Sequence, residues 1–361
     1  AHYGISVTHA TALFSYITVG VFFGCFLSMF AFSALGTKRV ILIANTLLLV
    51  VMIITRLVDQ ADFLPVSFSI LGVCGGLLLS GAAISLTAVY TEKHRASALL
   101  ATDSFYSLAG VLSTYAAGAA AARHLHWTTA YAIVAVACLI IALLTMVSRY
   151  PSLEVPRKQT STTGPVRWPL GVFFVAAALT VYVTGLTSIY SWVPTYATTS
   201  FGALPAEAGA LVGQMFTGMF FGQLAMFFLA LRVNVSLLIL MCSSGAFLAT
   251  IAIGVAPDID TLSYAMLILG LLGGGLLKTL ISFGTQFSKK PTARMVGFLM
   301  FSMTLGSAIA PALSAWIVEQ ESVSAALNWA STGYGVTLIL LVISLWLKRI
   351  NLQRRLNPDA V

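Results

Sequence analysis

The sequence predicts an all-α membrane protein built from two related helical bundles. Three observations predict it. The chain of 361 residues is 59% hydrophobic and only 8% charged, against about 25% charged residues in a soluble domain, and its mean hydropathy is strongly positive. Its apolar runs have the length of membrane spans, about 20 residues each. One pattern also occurs twice. Ile70-Leu71-Gly72-Val73-Cys74-Gly75-Gly76 matches Ile268-Leu269-Gly270-Leu271-Leu272-Gly273-Gly274, and Gly20-Val21-Phe22-Phe23-Gly24 matches Gly218-Met219-Phe220-Phe221-Gly222, both at an offset of 198. Two independent matches at one spacing mean two copies of one unit. Repeated helical units are the architecture of secondary transporters, whose substrate site lies between the repeats.

The span rule places eleven helices, at 9–35, 39–57, 64–90, 98–121, 127–148, 169–193, 206–231, 233–255, 261–286, 295–317 and 325–347. The domains follow: a bundle over 1–148, a linker over 149–168 rich in Pro, Ser, Thr and basic residues, a six-helix bundle over 169–348, and a tail over 349–361. Shifting the span at 169 back by 198 gives a position before Ala1. The expectation is therefore eleven helices of twelve, with the first span of the first repeat absent. Residues 1–7 are neither basic nor followed by a cleavage pattern, so they do not read as a signal peptide.

Sidedness follows from the basic residues. One set of alternate loops holds 16 of the 19, from Lys38 and Arg39 to Arg354 and Arg355; the other set holds only Arg56 and Arg123, and Lys278 lies in a span. The positive-inside rule makes the basic side, with the C-terminus, cytoplasmic. The six tryptophans fall near span ends, as an interfacial belt requires. The net charge of +8 is scattered between apolar runs; that pattern suits anionic lipid and not nucleic acid. Cys25, Cys74, Cys138 and Cys242 all fall in apolar runs and read as buried thiols, with no metal-ligand or disulfide spacing.

Two ionisable residues lie within spans. A charge there costs roughly 2.5–3.5 kcal/mol on insertion scales, so it should face a cavity or a partner. Asp103 heads a helical stripe with Tyr106, Ser107, Gly110 and Thr114. It is either a gate or proton-binding group, or a carboxylate near a helix start held by Lys93 or Arg95. Lys278 heads a second stripe with Ser282, Thr285 and Gln286. The opposite charges sit at similar depth, and the expectation is that they pair across the inner mouth of a passage.

The first span after the linker carries Thr180, Thr184, Thr187, Ser188 and Ser191 on one face, with Tyr182 and Tyr190 alongside. These hydroxyls can line a water-filled path or bond back to their own helix. Pro194 is expected to break or kink this helix, and broken helices are where transporters place binding groups. That makes Trp192 and Tyr196 site candidates. Gln214 and Thr217 share their direction on the next span, and Gln223 is a weaker candidate. The Gly-x-x-Phe-Gly blocks read as close-packing motifs, Glu207 as a cap after Pro205, and His94, His124 and His126 as solvated loop residues.

Thr102-Asp103-Ser104-Phe105-Tyr106-Ser107-Leu108-Ala109-Gly110, together with Ser191-Trp192-Val193-Pro194-Thr195-Tyr196-Ala197, resembles the major facilitator superfamily near its fucose-permease-like branch. The resemblance implies a twelve-helix, two-bundle fold with a central cavity. It also implies that the first, fourth, seventh and tenth family helices line that cavity; the last three correspond here to 64–90, 169–193 and 261–286. Two departures stand out. Ser33-Ala34-Leu35-Gly36-Thr37-Lys38-Arg39 keeps the glycine and bases of the family's loop motif without its acid, and 64–90 lacks the arginine often found in the fourth helix.

The expected function is a secondary active transporter in a bacterial inner membrane, moving a small polar solute by alternating access with proton coupling. It would act as a monomer in the bilayer, with no cofactor, metal or catalytic residue. Asp103 is the in-span carboxylate available for protons, and Lys278 inclines the site towards an anionic solute. There is no Gly-rich phosphate loop for nucleotide, and no clustered acids or nucleophile–base pair for a membrane enzyme. The alternative is a non-transporting scaffold or sensor that keeps the fold.

Overall fold

The computed structural model describes residues 7–123, 126, 128–150, 168–288 and 290–356; within these, the side chains of 7–12, 14, 110–122, 130, 133, 205–206 and 351–356 are not described. The helices are α1 (Val7–Leu35), α2 (Thr37–Val58), α3 (Leu64–Val89), α4 (Glu92–Ala122), α5 (Thr129–Val147), α6 (Leu170–Phe201), α7 (Pro205–Arg232), α8 (Val235–Gly254), α9 (Ile259–Gly273), α10 (Leu276–Thr285), α11 (Ala293–Gln320) and α12 (Val323–Leu356). With α9 and α10 counted as one pass, these correspond to the eleven predicted spans. Among the described residues, nine passes are long and apolar enough to cross a membrane, with 134–147 of α5 a shorter apolar helix. Helix α4 is not among the nine; its first turns carry Glu92, Lys93, His94 and Arg95. The predicted linker over 151–167, His124, Trp127 and the tail past 356 lie outside the described residues.

The chain divides into two compact units. One holds α1–α3, α5, α4 from Leu108 onward, and Pro291–Thr304; the other holds Tyr90–Ser107, α6–α10, α12 and α11 from Leu305 onward. The same packing scheme occurs in both. In the first, α1 packs on α3, and α2 on α3 and α5; in the second, α7 packs on α9, and α8 on α9 and α12. Each pairing maps onto the other under the 198-residue shift.

Glycine makes the closest of these contacts possible. A Cβ on Gly20 or Gly24 would fall closer than 3.0 Å to the backbone of α3, at Ser69 and Val73, and one on Gly72 or Gly76 would meet α1 at Ile17 and Val21. In the second copy, Gly218 and Gly222 meet Leu267 and Leu271, and Gly270 and Gly274 meet Met215 and Met219. Lipid tails are as apolar as leucine, so such contact, not hydrophobic exclusion, holds membrane helices together.

Two expectations about helix continuity are corrected. Pro194 does not break α6, which runs unbroken to Phe201. A proline removes one backbone bond, but in a membrane helix neighbouring groups can re-satisfy the freed carbonyl, so the segment runs on. The break falls instead in the predicted span 261–286, where Gly273, Gly274 and Gly275 part α9 from α10; consecutive glycines have the weakest hold on helical geometry after proline. His126 is likewise not a solvated loop residue. Its Nε2 lies 3.2 Å from Asp59 Oδ2 and its Nδ1 2.8 Å from Thr128 Oγ1.

Helix starts follow capping chemistry. The Leu204 N–H donates to Glu207 Oε2 at 2.9 Å, and the Thr261 N–H donates to Asp258 Oδ1 at 2.7 Å. Backbone donation from Thr261 holds the Asp258 carboxyl below its ordinary range. A depressed folded-state pKa gives stability that is present above the unfolded value of about 3.9 and is lost as pH falls through the folded value. Asp258→Ala is therefore expected to lower the melting temperature modestly at pH 7, with the difference from the parent closing in acid melts below that range.

Candidate functional site

Asp103 lies eleven residues beyond Glu92, the first residue of α4, or about 16 Å along the axis at 1.5 Å per residue. That is too deep for a helix-start carboxylate. Lys278 stands in the first turn of α10, just past the glycine break. Lys278 Nζ and Asp103 Oδ1 are 3.1 Å apart, with the side chains only 7% and 14% exposed. The lysine does not snorkel to the surface, and Asp103 is partnered by Lys278 where Lys93 or Arg95 was the alternative.

A third group completes the pair. Gln223, buried in α7, donates through Nε2 to Asp103 Oδ2 at 3.0 Å and more weakly to Gly274 O at 3.4 Å. Ser107 Oγ, one turn beyond Asp103, donates to Gln223 Oε1 at 2.7 Å. The fully buried Tyr182 on α6 donates to Gly273 O at 2.7 Å. Carbonyls at the broken helix thus receive side-chain donors, as buried backbone polar groups require. Through Gln223, the break and the ion pair belong to one hydrogen-bonded network.

A second polar set lies further along α10. Arg95 precedes the apolar part of α4 and is 7% exposed. Its guanidinium donates to Thr285 Oγ1 at 2.8 Å and to Tyr90 O at 3.4 Å. Burial pulls the Arg95 pKa down from the ordinary guanidinium value, and the Glu92 charge acts in the opposite direction. Lys348 of α12 donates to Gln286 Oε1, sits 5.1 Å from the Phe283 ring centroid and 3.9 Å from Glu92 Oε1. Among the described residues, Arg95 Nε, Ser97 Oγ and Ser282 Oγ are buried without a hydrogen-bond partner.

The remaining predicted residues lie apart from this network. The α6 hydroxyls turn back to backbone: Thr184 Oγ1 donates to Thr180 O at 2.7 Å and Gly306 O at 3.2 Å, and Ser188 Oγ to Thr184 O at 2.8 Å. Tyr190 OH donates to Thr187 Oγ1 at 3.4 Å. Trp192 Nε1 donates to Ser314 Oγ at 2.8 Å, and Tyr196 stacks edge-on against Phe201. With α6 continuous, the broken-helix argument for Trp192 and Tyr196 no longer applies. Gln214 is exposed, as is Tyr106 at 73%; the surroundings of Gly110 and the Thr114 side chain are not described. The Asp103 and Lys278 stripes meet, and with them Ser107, Thr285 and Gln286 find partners. Sequence reading gave too little weight to Gln223, whose signal was its place directly after Gly222 on a close-packing face. It also treated Lys348 as loop charge alone, and Arg95 as loop charge or a partner of Asp103.

Among the described residues, no three His, Cys, Asp or Glu side chains cluster as a metal site. The arrangement brings together one largely buried carboxylate, one buried ammonium and a hydrogen-bonded break in a helix.

The chain is similar to known transporters and their relatives. A TsgA homologue of Yersinia enterocolitica is 28% identical over 345 residues, covering 95% of this chain and 87% of the relative. The crystal structure of the transporter FucP in the outward conformation superposes with a TM-score of 0.81 at 15% identity, covering 95% of this chain and 91% of that one. The proton:xylose symporter XylE gives 0.75 at 12% identity, covering 96% and 88%. At those identities the solved structures speak for the fold. The family model described as the Major Facilitator Superfamily matches residues 1–290. Repeat, helix order and family match agree: the chain is a multi-pass membrane protein belonging to the Major Facilitator Superfamily.

Proposed function

We propose that the chain is a proton-coupled secondary transporter that moves a small polar solute across the bacterial inner membrane by alternating access. The buried Asp103–Lys278 pair would be its switch. The single observation that carries this reading is that pair itself, joining α4 to α10 beside a helix break and held by Gln223. An ion pair in a low-dielectric interior is stable only while both partners are present; losing one leaves an uncompensated buried charge. Protonating Asp103 does this chemically. Lys278 then needs water, and the segment after Gly275 moves to reach it. Buried Arg95 Nε and Ser282 Oγ favour the same opening, since each unpaired polar group costs about 1–3 kcal/mol until it is hydrated. Once free, Lys278 gives the passage a positive group suited to an anionic solute.

The excess of basic residues in one set of loops supports a cytoplasmic C-terminus, and the account needs one copy of the chain. The neighbours suggest the first solutes to try: FucP is a fucose:proton symporter, XylE a proton:xylose symporter, and the human protein TETRAN an organic anion transporter. The test is uptake of L-fucose, D-xylose and a panel of small organic anions into proteoliposomes, with and without a pH gradient. At least one solute should accumulate with the gradient, and Asp103→Asn should uncouple it. A chain that moves no solute and carries no protons under any of these gradients would be a scaffold or sensor.

A further inference from the structure

We propose that the chain carries a binding site for an anionic phospholipid between α2 and α5, built around Arg56. A cavity of about 330 Å³ opens there, lined towards the helix ends by Arg56, Leu57, Thr128, Thr129 and Tyr131 and further inward by apolar residues including Ile53 and Ala135. Its size lies within the 300–1,000 Å³ of ordinary ligand sites.

Three observations point to a phospholipid. Arg56 forms no ion pair among the described residues; the carboxylate three positions on, Asp59, lies against His126 at 3.2 Å. Arg56 is also one of the two basic residues in the otherwise uncharged-to-acidic set of loops, where the sidedness rule disfavours it. A positive group kept there with no ion-pair partner among the described residues, beside an apolar groove, is a point of attachment for an anion. The floor of the cavity decides which anion. Ile53, about one turn inward from Arg56 on a helix apolar enough to cross a membrane, is 49% exposed, and Ala135 lies about two turns inward from Thr128 on α5, so the groove runs from a guanidinium and hydroxyls into hydrocarbon. A phosphodiester with acyl chains has that polarity along its length; a free anion fills only the polar end. Arginine takes phosphate oxygens through a planar fork of donors, and Thr129 lines the same end of the cavity. None of the lining residues belongs to the Asp103–Lys278 network, and the site does not depend on the transport reading.

Native mass spectrometry of the detergent-purified full chain tests this, with phosphatidylglycerol as the added lipid. The unsubstituted chain should retain one phosphatidylglycerol with roughly tenfold higher occupancy than Arg56→Gln, the worth of a lost charge-assisted bond, and Arg56→Lys should fall between them. Ala135→Trp, which keeps the arginine and fills the apolar floor, should lose the lipid too. Phosphatidylglycerol micelles should raise the melting temperature of the parent and not of Arg56→Gln, while inorganic phosphate raises neither. Equal lipid retention by parent and Arg56→Gln overturns the proposal. So does stabilisation by inorganic phosphate equal to that by lipid, which would mark a free-anion site.

Discussion

Lys278→Ala is expected to abolish gradient-driven transport and to destabilise the fold by about 3–5 kcal/mol, the cost of leaving one member of a buried pair uncompensated. The magnitude follows from burial. Asp103 and Lys278 are 14% and 7% exposed at 3.1 Å; Glu92 and Lys348 are 61% and 29% exposed at 3.9 Å, where a pair contributes about 1 kcal/mol or less. Glu92→Gln should therefore be almost silent in the same melts. Asp103→Asn with Lys278→Met removes both charges, which is often neutral for stability. That double variant should recover folded yield without recovering proton coupling. Exchanging the residues, Asp103→Lys with Lys278→Asp, tests the pairing itself in a double-mutant cycle. Inactive single variants and an equally dead exchange would mean that the two charges do not act as a pair.

Gly24→Val and Gly222→Val, one from each repeat, should each cost about 3 kcal/mol or more and strongly reduce the yield of folded protein. Overpacking a close contact costs about 1–3 kcal/mol when side chains can yield. Here the Cβ would strike backbone, at Val73 and Gly76 in one copy and Leu271 in the other, so whole helices must move. Helix α7 contains its own controls. Among the described residues, Gly209 and Gly213 have nothing within 4 Å of an added Cβ, and alanine there should be neutral or stabilising by about 0.5–1 kcal/mol. Melting or protease-resistance assays on the four variants check this. Equal tolerance at Gly222 and Gly213 would mean that the glycine blocks do not set the helix spacing.

The fold was legible because its determinants are periodic and local. Apolar runs mark passes, and the glycine blocks at offset 198 mark which passes correspond. In the structure the same glycines meet the partner backbones in both copies. The site was half legible. An isolated acid and an isolated base in apolar runs must find partners, so Asp103 and Lys278 could be read together. Gln223 stood out only weakly, because a lone glutamine in a span shows its role only through the two helices it joins. The helix break was misplaced because proline is the louder signal. Pro194 is absorbed within α6, whereas Gly273–Gly275 yields and Tyr182 and Gln223 take the exposed carbonyls. Arg95 was hidden for another reason: a basic residue at a span end has a sufficient explanation in sidedness, and only the structure shows its side chain turned inward to Thr285.

The switch can be tested at Ser282, which is fully buried on α10 between Lys278 and Thr285. Ser282→Cys, in a chain whose four native cysteines are replaced, is labelled with a membrane-impermeant maleimide in vesicles of both orientations. The account predicts little labelling with Asp103 intact, and severalfold faster labelling once Asp103→Asn has released Lys278, only from the face that carries the C-terminus. Labelling that ignores Asp103, or that proceeds equally from both faces, would contradict it.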